Sequence, residues 1–211
     1  MQGEGGDNHF RTEFFQKLRH YADENEALLI FDEVQTGFFG SGKAWLWQHH
    51  GVAPDITCFG KKTQVCGVYA SKRLDEIAEN VFARSSRINS TWGGSLTDMV
   101  RCRRFIEIIG AENLAENITQ QGERMLSGLR DLAREHGGIS NVRGRGSLVA
   151  FRLENAGLRD GMLKDLYAKK LMALASGTES IRLRLPLTVS SSEVDEALAR
   201  IASCMPSQVQ A

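Results

Sequence analysis

Asp32 and Lys61 are the residues of this chain whose types and positions suggest chemistry. Each follows a short unalternating apolar run, "LLIF" before Asp32 and "DITCF" with Gly60 before Lys61. A lysine amine attacks carbonyl groups once desolvation or a neighbour lowers its pKa enough to free it near neutrality. An aspartate at the end of a buried strand costs free energy unless a cation, such as a protonated heteroaromatic nitrogen, keeps it ionised. A pyridoxal phosphate site combines such a lysine with such an aspartate. A strand-end Asp is also a common turn residue, so the pairing alone leaves both readings open.

Other motifs offer less. "GFFGSGKA" fits G-x-x-x-x-G-K from Gly37 to Lys43, but Ala44 stands where a magnesium-binding hydroxyl is needed, and Asp32 and Glu33 would repel phosphates. His49 and His50 are adjacent, so on a helix they point about 100° apart and share no metal. Cys58, Cys66, Cys102 and Cys204 have no CxxC spacing and sit in apolar company, which predicts reduced core thiols. No metal site is expected.

The elements that must position Asp32 and Lys61 can be read from periodicity. "TEFFQKLRHYADENEA" places Phe14, Phe15, Leu18, Tyr21 and Ala22 on one helical face ahead of the "LLIF" strand. "DITCF" is a second strand and "VYAS" follows after a turn. Short continuous strands separated by helices or long loops predict an α/β fold with a mostly parallel sheet covered on both faces. Ligands of such sheets bind beyond the carboxyl ends of the strands. Met99, Cys102, Ile106 and Ile109 then lie at helical spacing up to Gly110, and Leu114, Ile118, Met125, Leu129 and Leu132 form a second helical stripe. A strand in "SLVAFRL", a helix in "DGMLKDLYAKKLMAL", a strand in "SIRLRLPL" and a helix opened by Ser190 with Glu193 in capping-box spacing complete the chain. The expected division is residues 1–109 and a smaller α/β domain, 110–211.

Composition narrows the function classes. The 211 residues are 42% hydrophobic and 25% charged, with Lys plus Arg equal to Asp plus Glu, so no net field favours nucleic acid or an anionic membrane. The apolar runs are far shorter than a membrane span, and "MQGEGGDNHF" lacks the charged and apolar regions of a secretory signal. A cytoplasmic location is expected, without nucleic-acid or membrane partners.

"LLIFDEVQTGFFGSGKAWLWQHHGVAPDITCFGKK" resembles the central signature of the class III pyridoxal-phosphate aminotransferases. The resemblance implies the C-terminal half of an aspartate-aminotransferase-like, fold type I enzyme, with part of the large-domain sheet followed by the small domain. It makes Lys61 the lysine that binds pyridoxal 5'-phosphate covalently and Lys62 its unspecialised neighbour. Asp32 corresponds to the partner of the pyridine nitrogen, Val34 to the residue packed on one ring face, and Gln35 to the donor near the ring's phenolic oxygen. "FGKKTQVCG", "NSTWGGSLTDMVR" and "MQGEGGDNHF" are jointly similar to the lysine 6-aminotransferase branch. That similarity implies transfer of the ε-amino group of L-lysine to 2-oxoglutarate, giving 2-aminoadipate 6-semialdehyde and L-glutamate. Ornithine, acetylornithine and 4-aminobutyrate are the alternative donors.

By the same resemblance, Asn89, Ser90 and Thr91 reach the cofactor phosphate of the neighbouring subunit in a homodimer. Arg182 holds a substrate carboxylate, and Glu4 pairs with Arg182 when the other substrate is bound. Ser95 and Leu185 depart from the pattern, standing where the branch carries Asn and the first Pro of a Pro-Pro pair. Family members are about twice this long. The half without a counterpart here would carry a glycine-rich phosphate loop, an aromatic stacked on the other ring face and a further substrate arginine. A non-catalytic fragment is therefore the rival expectation.

Overall fold

The computed structural model of the chain describes residues 1–88, 91 and 93–205. Two compact units emerge: Phe10–Phe38 with Lys43–Glu112, and Met1–His9 with Phe39–Gly42 and Asn113–Ala211. The division at Glu112/Asn113 also sets Met1–His9 and Phe39–Gly42 with the later residues, a grouping that the sequence did not suggest.

The first, lysine-bearing unit contains α1 (Thr12–Glu24), β1 (Ile30–Asp32), β2 (Ile56–Phe59), β3 (Gly67–Ala70) and α2 (Leu96–Ala111). Its sheet runs β1-β2-β3, with β1 and β2 parallel and β2 and β3 antiparallel. This part of the sheet is mixed, because the short link from β2 to β3 allows a hairpin return but no crossover helix. A buried carboxylate fixes the start of both parallel strands. Asp55 accepts the amide of Leu29 at 2.8 Å and pairs with Arg19 of α1 at 2.7 Å, while Asp23 joins Arg19 and Arg73 at 2.6 and 2.5 Å. Burial alone would raise the pKa of Asp55, but the Leu29 amide and Arg19 outweigh it and hold the carboxyl below its usual range.

Much of this unit's apolar surface is uncovered. Phe14 and Tyr21 of α1, Ile30 of β1, and Met99 and Ile106 of the expected α2 stripe are exposed, and only Ile109 of that stripe is buried.

The second unit is built on α3 (Leu114–His136), β4 (Ser140–Arg145), β5 (Leu148–Arg152), α4 (Ala156–Ala168), β6 (Leu174–Ser176), β7 (Ser180–Arg184) and α5 (Ser191–Ala202). The sheet is antiparallel throughout, in the order β4-β5-β7-β6. Ile118, Met125 and Leu129 of α3 meet Phe151, Ile181, Leu166, Val194 and Ile201 in one continuous core, each of these side chains fully buried. Burying one such side chain stabilises by about 1.5–3 kcal/mol. The stripe read from the sequence is this face of α3.

One helix boundary differs from expectation. The helix expected to continue through Leu174 ends at Ala168, where Lys170 takes a left-handed φ of 60° and the Leu171 amide bonds back to Leu166 at 2.9 Å. That stop releases residues for β6. Among the described residues no helix is long and apolar enough to cross a membrane.

Candidate active site

Adjacent parallel strands put Asp32 and Lys61 at the same end of the sheet. Asp32 is the last residue of β1, opposite Cys58 in register, and Lys61 lies just beyond Phe59, the last residue of β2, opening a short 3-10 turn, Lys61–Thr63. Neighbouring strands are about 4.8 Å apart. Both residues are exposed, against the expectation of burial, because β1 is an edge strand among the described residues. One Asp32 oxygen accepts the Val34 amide at 2.9 Å. Burial first, and then the negative charge of Asp32, push the Cys58 thiol pKa up, which places the carboxylate's field at the strand end.

The two lysines of the pair have different fates. The Nζ of Lys62 donates to the carbonyl of Gln35 at 2.7 Å, tying the turn to the loop after β1. Lys61 adopts a left-handed φ of 53° that turns the chain out of the strand. Val34 packs beside Gly60, where an added Cβ would lie 3.6 Å from a Val34 methyl and 3.0 Å from the Cys66 sulfur. A carboxylate, an amine and an apolar side chain thus stand at two neighbouring strand ends. This donor set suits a pyridinium ring bearing an aldehyde, and so fits pyridoxal phosphate.

Glu33 was missed as a site-forming residue. It is 4% exposed, and its carboxylate accepts the amides of Leu46 and Trp47, both at 2.8 Å, and the hydroxyl of Thr36 at 3.0 Å. Asp32 therefore faces outward while Glu33 organises the loop behind it. The only sequence signal was a second acid beside Asp32. Gly37 belongs to the same arrangement, since a Cβ there would lie 2.5 Å from the Trp45 ring. Lys43 of the near-miss phosphate loop donates to the carbonyl of Gln48 at 3.2 Å, and His50 packs on Phe15 and bonds to Thr12 at 3.1 Å. The expectation of four core thiols is corrected: Cys204 is buried, Cys58 and Cys102 are half-buried, and Cys66 is exposed in the β2–β3 link.

Arg182 and Glu4 lie in the second unit. Ile181 and Leu183 of β7 point into the core, so the pleat sends Ser180, Arg182 and Arg184 to the opposite face. Glu4 meets Arg182 through two hydrogen bonds, at 2.8 and 3.1 Å. The Arg182 Nε is buried without a hydrogen-bond partner among the described residues. Thr91 lies in an exposed turn, and Asn89 and Ser90 fall outside the described residues.

Known proteins match this arrangement along nearly the whole chain. The model of the aminotransferase class-III family matches residues 1–205. The L-lysine-epsilon aminotransferase of Mycobacterium tuberculosis is 51% identical over 207 residues, which is 98% of this chain and 46% of the relative. That of Streptomyces clavuligerus is 46% identical over 205 residues, 96% of this chain and 45% of the relative. A solved structure of lysine aminotransferase from M. tuberculosis, in the internal aldimine form, superposes with a TM-score of 0.94 at 51% identity and covers 98% of this chain and 48% of that one. The chain spans about half the length of the curated relatives it matches. The fold is accordingly the C-terminal portion of a fold type I, pyridoxal-phosphate-dependent transferase. With Asp32 and Lys61 at adjacent strand ends and a match that runs through both units, the chain belongs to the class III aminotransferases.

Proposed function

We propose that these residues serve an L-lysine 6-transaminase, moving the ε-amino group of L-lysine to 2-oxoglutarate within a cytoplasmic homodimer of relative-length subunits. Residues 1–109 would complete a large cofactor-binding domain and 110–211 form the small one. The observation that carries the reading is the parallel pairing of β1 with β2, which brings Asp32 and Lys61 to one end of the sheet. The identity of 45–51% to L-lysine-epsilon aminotransferases supports the choice of donor.

When bound, pyridoxal phosphate supplies a carbonyl that takes up amines and a ring that accepts the electron pair left at a substrate carbon. Lys61 would hold the cofactor at rest, and as a free amine its Nζ would take a proton from the amine-bearing carbon of the substrate and later return one. Asp32 keeps the ring nitrogen protonated. Val34 would support one ring face, and Gln35 would donate near the phenolic oxygen. By the resemblance, Asn89, Ser90 and Thr91 would serve the cofactor phosphate of the neighbouring subunit. Arg182 grips a carboxylate of 2-oxoglutarate or glutamate with its planar fork, and Glu4 neutralises it while L-lysine is bound.

A non-catalytic role for the 211 residues alone is the second reading, favoured by the uncovered apolar surface of the lysine-bearing unit. One experiment separates the two. The chain is assayed alone and co-expressed with the N-terminal half of the M. tuberculosis relative, using L-lysine, ornithine, acetylornithine and 4-aminobutyrate as donors. Semialdehyde release from L-lysine in the complemented sample supports the proposal. Preference for another donor, or no turnover in a complemented sample that carries cofactor, refutes it.

A further inference from the structure

Two arginine–carboxylate pairs stand two residues apart on the same face of β7, and their carboxylates differ in exposure, while both guanidiniums are largely covered, at 11% for Arg182 and 28% for Arg184. Arg182 pairs with Glu4, whose side chain is 67% exposed; Arg184 pairs with Asp7, whose side chain is 0% exposed. An exposed pair is weak and readily exchanged, whereas a buried pair is expensive to break because it would leave a charge without a partner. Glu4 and Asp7 belong to one short loop, so the fixed pair anchors the segment that carries the releasable one.

The loop's backbone is fastened on both sides of Glu4. The hydroxyl of Ser176 donates to the Gly3 carbonyl at 2.7 Å and accepts the Gly6 amide at 3.2 Å, and the Gly177 amide donates to the Glu4 carbonyl at 3.1 Å. Arg143 donates to the carbonyls of Gly6 and Asp7 and to the Ser180 hydroxyl. Arg184 closes the end with bonds of 2.7 and 3.1 Å to Asp7. Gly6, at φ 120°, makes the turn that brings Asp7 over Arg184. The Glu4 side chain is thus the exposed, exchangeable part of a pinned loop.

We propose that Asp7 is a positioning residue for the Arg182 carboxylate site: its pair with Arg184 pins the loop, so that Glu4 covers Arg182 and yields to a substrate carboxylate by side-chain rotation. This rests on the reading of Arg182 as the carboxylate receptor. Without the anchor, Glu4 spends less time at Arg182 and its effective concentration there falls.

The test measures glutarate binding to the chain by calorimetry, together with hydrogen exchange of the Gly6, Asp7 and Gly177 amides. Glu4→Gln raises glutarate affinity by roughly two- to fivefold, the worth of an exposed pair. Asp7→Asn and Arg184→Gln change the local charge in opposite directions, so a field effect would shift affinity in opposite senses. Loss of an anchor raises it in both, speeds exchange of the three amides in both, and adds nothing in the Glu4→Gln background. Should a single variant fold poorly, the double variant Asp7→Asn/Arg184→Gln removes both charges of the pair together and is read in the same way. Opposite shifts, or an effect that persists without Glu4, overturn the proposal. Glutarate binding to neither the wild type nor Glu4→Gln sinks the carboxylate reading along with it, while the exchange rates still report whether Asp7 anchors the loop.

Discussion

The carboxylate of Glu4 spans the guanidinium of Arg182 with bonds of 2.8 and 3.1 Å, although 178 residues separate them in the chain. The Arg182 side chain is only 11% exposed, so Glu4 occupies the face from which a ligand would approach. In a subunit of the relatives' length, Arg182→Ala is expected to slow the 2-oxoglutarate half-reaction by at least about tenfold more than the L-lysine half-reaction, as loss of a bidentate charge pair implies. Separate single-turnover rates check this. Equal damage to both would count against a role specific to one substrate.

Lys61, and not Lys62, is expected to carry the pyridoxyl group after borohydride reduction with cofactor in the complemented protein. Peptide mapping decides it. Lys62→Ala should keep the label and lose about 0.5–1.5 kcal/mol of stability with its bond to Gln35. Lys61→Ala should lose label and turnover together.

His9 gives a pH dependence to the second unit. Its pKa is lowered to about 4, first by burial and then by positive neighbours that include Arg143, Arg145 and Arg184. The unfolded imidazole titrates near 6.5, so between about 4 and 6.5 the unfolded chain binds the extra proton and stability rises with pH. Urea midpoints of the wild type should climb across that window, by up to roughly 3 kcal/mol in free energy, and level off above it. His9→Gln should flatten the climb; an unchanged slope would remove His9 as its cause.

The continuous core lies wholly in the second unit, while most exposed large apolar side chains belong to the first, Leu158, Tyr167, Met172 and Leu174 being the exceptions. The chain alone is expected to bind a fluorescent apolar dye and to aggregate as concentration rises. Limited proteolysis should cut within residues 80–112 first and leave a resistant product starting near Asn113. Uniform resistance with no dye binding would contradict this.

Elements whose cues are local were legible in the sequence. The Ser190–Glu193 capping box forms as spaced, with the Ser190 amide 2.8 Å from Glu193, and the apolar positions of α3 face the core. The strand ends at Asp32 and Lys61 followed from two apolar runs. β4 escaped notice because "SNVRGR" has neither apolar alternation nor a continuous run, and it pairs through a register shift between Ser140 and Arg143. Burial at the strand ends was overestimated because an apolar run reports what a strand can bury, while Ile30 and Asp32 lie on an edge strand. The Asp7–Arg184 pair was invisible for a simpler reason: nothing near Asp7 in the sequence announces a partner 177 residues away.

That separation gives the Gly3–Asp7 loop a history during synthesis. Its fastenings to Arg143, Ser176, Arg182 and Arg184 all emerge 136 to 178 residues after it. At about 5–20 residues per second, Asp7 waits on the order of 10–30 s before Arg184 exists to receive it. A glycine-rich segment with one aspartate and one glutamate offers no apolar surface to collapse on meanwhile, and only its local turn, in which the Asp7 amide donates to the Gly3 carbonyl at 3.1 Å, can form without those partners. The cost of closing so long a loop grows only with the logarithm of its length. Docking of this segment therefore waits for β7, and the covering of Arg182 by Glu4 cannot precede it.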